Sequence, residues 1–210
     1  MRAVKYIIIG LGALFLLYQS VYFRPLDEVK QETEARTFNP ANYAREFWEN
    51  KLIPNLNQAI ELNTLIPLLG SDPDLAYGNY SNALGIGNIR FFLVSGKATV
   101  MGVKEDHVLL DAGQSVQINL LTDYIFGNAI RDASGQIDIN EFTNTMDFNN
   151  VSAEINQIVV NSILPDFIRS VREGDLVEFH GAIELNQSHP MPEFIEIIPV
   201  QLSIQKSEAR

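Results

Sequence analysis

Three rhythms of apolar and polar positions follow one another along the chain. Tyr6 to Phe23 carries no charge, and Ile7 to Leu17 holds only apolar residues and two glycines. At 1.5 Å per residue, 18 residues make roughly 27 Å of helix, close to the ~30 Å hydrocarbon core of a bilayer. A second pattern begins at Asn39-Pro40, an N-cap followed by proline at the first helical position. Phe47, Ile53, Leu56, Ala59, Ile60 and the run Leu65 to Leu69 then recur near helical spacing as far as Gly70. Pro54 lies inside this stretch and predicts a bend or a division into two helices. Gly78 to Asn88 is rich in Gly and Asn and predicts a loop.

From Arg90 the period shifts towards two. Phe92, Val94, Gly96, Ala98 and Val100 alternate with Leu93, Ser95, Lys97 and Thr99, which describes a strand with small residues where the backbone bends. Turns at Lys104-Glu105-Asp106 and Asp111-Ala112-Gly113 separate it from His107 to Leu110 and from Ser115 to Leu121, giving a three-stranded antiparallel meander. Phe148 to Val171 returns to helical spacing through Val151, Ile155, Val159 and Ile163, with an interruption expected near Pro165. Strands follow at Leu176 to Leu185 and Phe194 to Ile204. Three strands, a helix and two strands is the element order of a five-stranded OB-like barrel. The expected fold class is therefore α+β: an OB-like five-stranded antiparallel barrel with an N-terminal helical segment, preceded by a single transmembrane helix.

Composition changes this picture in three ways. With 210 residues, 46% hydrophobic and 20% charged, the chain suits one soluble domain plus an appendage. The formal charge is −11, and residues 37–210 hold 22 Asp and Glu against 10 Lys and Arg. Nucleic-acid partners call for a basic footprint, so none is expected. There is no cysteine, which removes disulfides, thiolate metal sites, cysteine nucleophiles and a lipid-modified N-terminal Cys. The apolar start exits through Leu17-Tyr18-Gln19-Ser20-Val21-Tyr22-Phe23 instead of small residues, which favours an uncleaved anchor with an aromatic belt over a cleaved signal peptide. Arg2 and Lys5 precede it, so the positive-inside rule puts the C-terminal domain in the periplasm.

Candidate chemistry concentrates between Asn128 and Asn144. Gly135 as the sixth position of an EF-hand loop would place Asp132, Ser134, Asp138 and Glu141 at ligand positions, but Ile130 occupies the first, where a carboxylate is required. Two other readings stand beside it. Asp132 to Gly135 makes a tight turn with Arg131 paired to a carboxylate, or Asn128, Arg131, Asp132, Thr143 and Asn144, with Asn140, line a pocket for a small polar ligand such as a sugar or carboxylate. His107, His180 and His189 lie on separate elements without metal-binding spacing, and no nucleophile elbow, phosphate loop or dinucleotide fingerprint is present. No catalytic residues, metal or cofactor are expected.

The runs Phe126-Gly127-Asn128-Ala129-Ile130-Arg131-Asp132-Ala133-Ser134-Gly135, Glu141-Phe142-Thr143-Asn144 and Phe148-Asn149-Asn150-Val151 resemble a bacterial family of predicted periplasmic lipoproteins of unknown function. Trp48 with Pro54, Val94 to Ala98, Val177 to Ala182 and Ile198-Pro199-Val200 extend the likeness over nearly all of residues 24–205. The resemblance implies an OB-type fold and, because members are often encoded near sugar ABC transporters, a role in envelope solute handling. Two departures are visible. Val21-Tyr22-Phe23 stands where the lipoprotein Cys would fall, so a helical anchor is expected to replace acylation, and Thr145 follows Asn144 where the family has Gln.

The expected organisation is an anchor at 1–23 held in the inner membrane by residues 6–23, a linker at 24–40, a periplasmic helical segment plus OB-like barrel at 41–205, and a tail at 206–210. The expected role is non-enzymatic: a small-molecule or partner-binding accessory module, its partner a sugar ABC transporter component or a small polar ligand. A purely structural envelope protein is the alternative, with a carboxylate-pair hydrolase or a calcium-binding protein behind it.

Overall fold

The computed structural model describes residues 38–113 and 116–206, together with Tyr6. Its first helix, α1 (Pro40–Phe47), starts where the pattern predicts, with the Asn39 side chain accepting from the Asn42 amide at 3.0 Å. The helix then loosens into a π turn (Trp48–Leu52) and tightens into a 3₁₀ turn (Ile53–Gln58) around Pro54, which cannot donate an intrahelical bond. A two-residue strand, β1 (Ile60–Glu61), separates these turns from α2 (Leu62–Ser71). The helical run expected through Gly70 is thus divided after Gln58. α3 (Pro73–Tyr80), capped by Asp72, and β2 (Ser81–Asn82) occupy part of the stretch expected to be a loop.

The long strand β3 (Ile89–Val103) is the hub of the sheet. It pairs antiparallel with β4 (His107–Asp111), which pairs antiparallel with β5 (Gln117–Leu121). After the helical excursion, β6 (Leu176–Asn186) lies antiparallel to β3 over its first eleven residues and antiparallel to β7 (Phe194–Gln205). β7 closes the ring against β5 in parallel. The barrel order is therefore β3-β4-β5-β7-β6 and back to β3, with β1 and β2 added along β3.

Two parts of the expected fold class need correction. The barrel is not antiparallel throughout. A closed ring with an odd number of strands cannot alternate direction at every neighbour, and the β5–β7 pair absorbs the mismatch. The transmembrane helix is not supported either: among the described residues no helix is long and apolar enough to cross a membrane. Apart from Tyr6, the anchor expected at 6–23 and the linker as far as residue 37 lie outside the described residues.

Inward side chains of all five barrel strands form one apolar core, including Phe92, Val108, Ile118, Phe179, Ile183 and Ile197. Leu62, Leu65, Ile66 and Leu69 of α2 join it, as do Phe167 and Val171 at the C-terminal end of the excursion. Two glycines allow the close packing. Gly96 faces Phe179 across the β3–β6 ladder, where a Cβ would meet the ring at 2.8 Å. Gly181 sits at a register shift, where a Cβ would meet Ile197 Cγ2 at 2.5 Å and the Ile198 carbonyl oxygen at 2.7 Å.

Between β5 and β6 the chain forms α4 (Ala129–Ala133), a 3₁₀ turn (Ile139–Glu141) and α5 (Thr145–Ile158). A π turn (Val159–Ile163) then leads into α6 (Leu164–Ser170), the break falling at Pro165 as its position predicts. α4 lies on β3 and β6, and α5 packs against α1, so the excursion builds a helical layer on the outer wall of the barrel. That layer carries most of the polar cluster singled out by the sequence.

Candidate functional site

The short helix α4 is held from several sides. Asn82 of β2 donates to the Ala133 carbonyl at 3.0 Å. Asn156 of α5 donates to the Gly127 carbonyl at 2.9 Å, and Ser134 donates to the Arg131 carbonyl at 2.6 Å. Gly135 takes φ +63°, the left-handed geometry that ends the turn and packs against the Asn82 amide.

On this frame Arg131 and Asp132 form a buried ion pair. They are 5% and 3% exposed, and Arg131 Nε donates to Asp132 Oδ1 at 2.6 Å. Asn128 donates to the second carboxylate oxygen. The guanidinium stacks 3.5 Å above the Phe148 ring and donates through Nη1 to the Phe148 carbonyl at 3.2 Å. Phe148 in turn meets Phe142 edge-on, and Phe142 meets Tyr43 of α1. The Tyr43 hydroxyl donates to Glu141 Oε2 at 2.6 Å; burial first, then this bond and the Glu141 charge, push its pKa up.

Of the five residues expected to bind a ligand, Asn128, Arg131 and Asp132 are brought together. Thr143 and Asn144 are not part of that group. Both are exposed, and Asn144 is the N-cap of α5, accepting from the Asp147 amide at 2.8 Å and donating to the Asp147 carboxylate at 2.7 Å. The EF-hand-like donors are committed to protein groups. Asp132 holds Arg131, Asp138 caps the 3₁₀ turn through the Asn140 amide, and Glu141 takes Tyr43 and Lys51. Among the described residues no group of three or more His, Cys, Asp or Glu is placed to hold a metal ion.

The ion pair separates two clefts. Arg131 lines one of about 470 Å³, walled by the 125–128 loop and by Asn149, Ser152, Ala153, Asn156 and Gln157 on one face of α5. Asp132 lines another of about 320 Å³ beneath the 83–89 loop, shared with Asn128 and Glu184. Burial and then the Asp132 charge raise the Glu184 carboxyl above the ordinary carboxylate range. A third cleft of about 410 Å³ carries Asp106, Asp123, Glu184 and Glu196.

Among the described residues, none lining the Arg131 cleft is acidic, and Arg131 is the only charged one. Ser152 is 6% exposed, and its hydroxyl has no hydrogen-bond partner among the described residues. The sequence pattern marks Ser152 and Asn156 only as polar positions between the apolar ones of a helix, and it does not single out Asn149, Gln157 or the Phe148 platform. The spacing 149, 152, 156 is the signal that could have found the three α5 residues, because it puts them on one helical face.

Residues 11–203 match the model of the family described as "Predicted periplasmic lipoprotein (DUF2291)". The chain belongs to this family. A crystal structure of an OB-fold protein from Thermotoga maritima is similar to this member of the DUF2291 family. It is 28% identical, with a TM-score of 0.73, and the match covers 81% of this chain and all of that one. No curated protein matches the chain. The family description also corrects the expected localisation. A DUF2291 protein is a predicted periplasmic lipoprotein, which is anchored by lipid and not by a single-pass inner-membrane helix. The 210 residues nevertheless contain no cysteine.

Proposed function

We propose that this protein is a periplasmic binding module for a small polar solute, held in the cleft between the 125–128 loop and α5, and that it serves as an accessory to sugar uptake. One observation carries the reading. In a chain of net charge −11, this cleft is walled by amides, one hydroxyl and one guanidinium, with Phe126, 74% exposed, at its edge. Convergent hydrogen-bonding groups beside an aromatic ring are the chemistry of polar-solute recognition.

Binding fits better than catalysis. Among the described residues Arg131 is the only titratable one on the wall, and a guanidinium does not exchange protons near neutral pH. Among the described residues Ser152 has no neighbouring base to activate it as a nucleophile. The acidic balance of the chain opposes a nucleic-acid partner.

The alternative, a structural envelope protein without a ligand, draws on the internal bonding of Arg131, Asp132 and Asn144. Thermal unfolding of the full chain in the presence of sugars, sugar acids and short peptides separates the two. A solute at 100 times its Kd stabilises by about 2.7 kcal/mol. A shift abolished by Asn149→Leu, which fills the cleft from an exposed position, supports the binding module. A flat response to every solute favours the structural one. In vivo crosslinking to a sugar transporter component tests the uptake link.

A further inference from the structure

The solute-binding reading leaves the chemical class of the ligand open, and the α5 wall narrows it. A serine inside a helix ordinarily bonds back to the carbonyl four residues earlier. For Ser152 that carbonyl belongs to Phe148, which accepts from Arg131 Nη1 at 3.2 Å and receives no bond from the serine hydroxyl. The Ser152 hydroxyl is buried without a partner among the described residues, on the same cleft wall as Arg131. Arg131 spends Nε on Asp132 and Nη1 on Phe148, while Nη2 has no partner among the described residues. Asp132 turns to the opposite cleft, with Glu184, so the pair presents its cationic end here and its anionic end there.

Resting on that binding reading, we infer that the cleft takes a small carboxylate, its carboxylate group set between Arg131 Nη2 and the Ser152 hydroxyl. An ionised carboxylate only accepts hydrogen bonds, and its four lone-pair sites suit these two donors together with the side-chain amides of Asn149 and Asn156. No acidic residue on this wall repels it, whereas the 410 Å³ cleft carries four carboxyls. A carboxylate is favoured over its amide because only the charged form gains from the cationic end of the pair.

The test is an amide chemical-shift titration of the full chain at constant ionic strength. Acetate, lactate and D-glucuronate are compared with acetamide, lactamide and D-glucose, following residues 149–157. Each neutral probe keeps the body of its acid and lacks only the ionised group. At least one acid should perturb these amides with about tenfold or greater preference over its neutral counterpart, and Ser152→Ala should remove most of that preference. Arg131→Lys, which keeps the charge but loses the fork, should weaken the acids. Because that variant also disturbs the buried pair, Ser152→Ala is the deciding one.

Neutral probes binding the same amides as tightly as the acids would overturn the carboxylate assignment and leave the solute-binding module standing. An acid preference unchanged in Ser152→Ala would also overturn it. Silence from all six probes would overturn it too, and the broader solute panel would then decide the binding reading separately.

Discussion

Asp132→Ala is the perturbation whose consequence follows most directly from the geometry. The side chain is 3% exposed and accepts from Arg131 Nε at 2.6 Å and from Asn128. Removing it leaves a guanidinium that is 5% exposed, with only the Phe148 carbonyl and ring as partners among the described residues. Breaking a buried pair by deleting one partner costs about 3–5 kcal/mol, because the surviving charge stays desolvated. A domain of this size loses roughly 2–4 °C of Tm per kcal/mol, so the melting temperature should fall by about 6–20 °C. The double variant Arg131→Met with Asp132→Leu removes both charges and keeps apolar volume, and it should recover more than half of that loss. Urea and thermal unfolding followed by circular dichroism close the cycle. A double variant that loses the sum of the two single losses would refute the claim that the charges depend on each other. So would an Asp132→Ala protein within about 1 kcal/mol of wild type.

Four further outcomes are expected. Gly181→Ala should lower stability by about 1–3 kcal/mol in urea unfolding, since the added methyl meets the Ile198 backbone as well as the Ile197 side chain. Ser152→Ala should leave stability unchanged or raise it by up to about 1–3 kcal/mol, because it deletes a buried hydroxyl that has no partner; a loss above about 1 kcal/mol would mean that the hydroxyl is bonded internally. Asn144→Ala should cost about 1 kcal/mol through the α5 cap while leaving solute binding unchanged, which distinguishes a cap from a ligand contact. Glu184 has a raised folded pKa, so the folded state holds its proton more tightly than the unfolded chain. Stability from this group is present at acid pH and is lost as pH rises above the ordinary glutamate range. Glu184→Gln should therefore flatten the decline of Tm with pH in that window, and an unchanged profile would contradict the shift.

The barrel was largely legible because its strands are half-buried by alternation, and a period of two survives in a single sequence. Ala98 and Val100 of β3 carry that signal between exposed Lys97, Thr99 and Met101, whereas residues 91–96 are buried on both faces. β1 and β2 left no trace, since two residues are too few to show any period. The parallel β5–β7 pair follows from strand count once closure is assumed, but no local residue announces it. In the polar cluster, Asn144-Thr145-Met146-Asp147 carries a helix-start signal, and a ligand reading overlooked it. Arg131 and Asp132 were singled out for polarity, yet their burial depends on Phe148, seventeen residues downstream, and on Asn82 and Asn156, which fasten α4 from outside. Contacts of that range leave no periodic mark. Ser152 and Asn156 stood among the polar positions of a helix, where exposure is the ordinary expectation, and only the docking of the 125–128 loop and α4 buries them.

The buried pair also accounts for how one short helix can border clefts of opposite character. A lone arginine at this depth would be too costly to desolvate, and a lone aspartate equally so. Together they are tolerated: Arg131 Nε meets Asp132 Oδ1 at 2.6 Å, while Arg131 lines one cleft and Asp132 the other. The cationic end is steadied by the Phe148 ring and carbonyl, and the anionic end by Asn128. Substitutions at either residue therefore change folding and cleft polarity at once, and a lost signal in such a variant does not reveal which was affected. Ser152 is the position where the two effects part: removing its hydroxyl relieves an unpaired buried group in the free protein and withdraws a donor from the cleft. A variant that melts no lower than wild type while losing its preference for acids would mark the cleft as a binding site whose unpaired hydroxyl is a cost carried by the free fold.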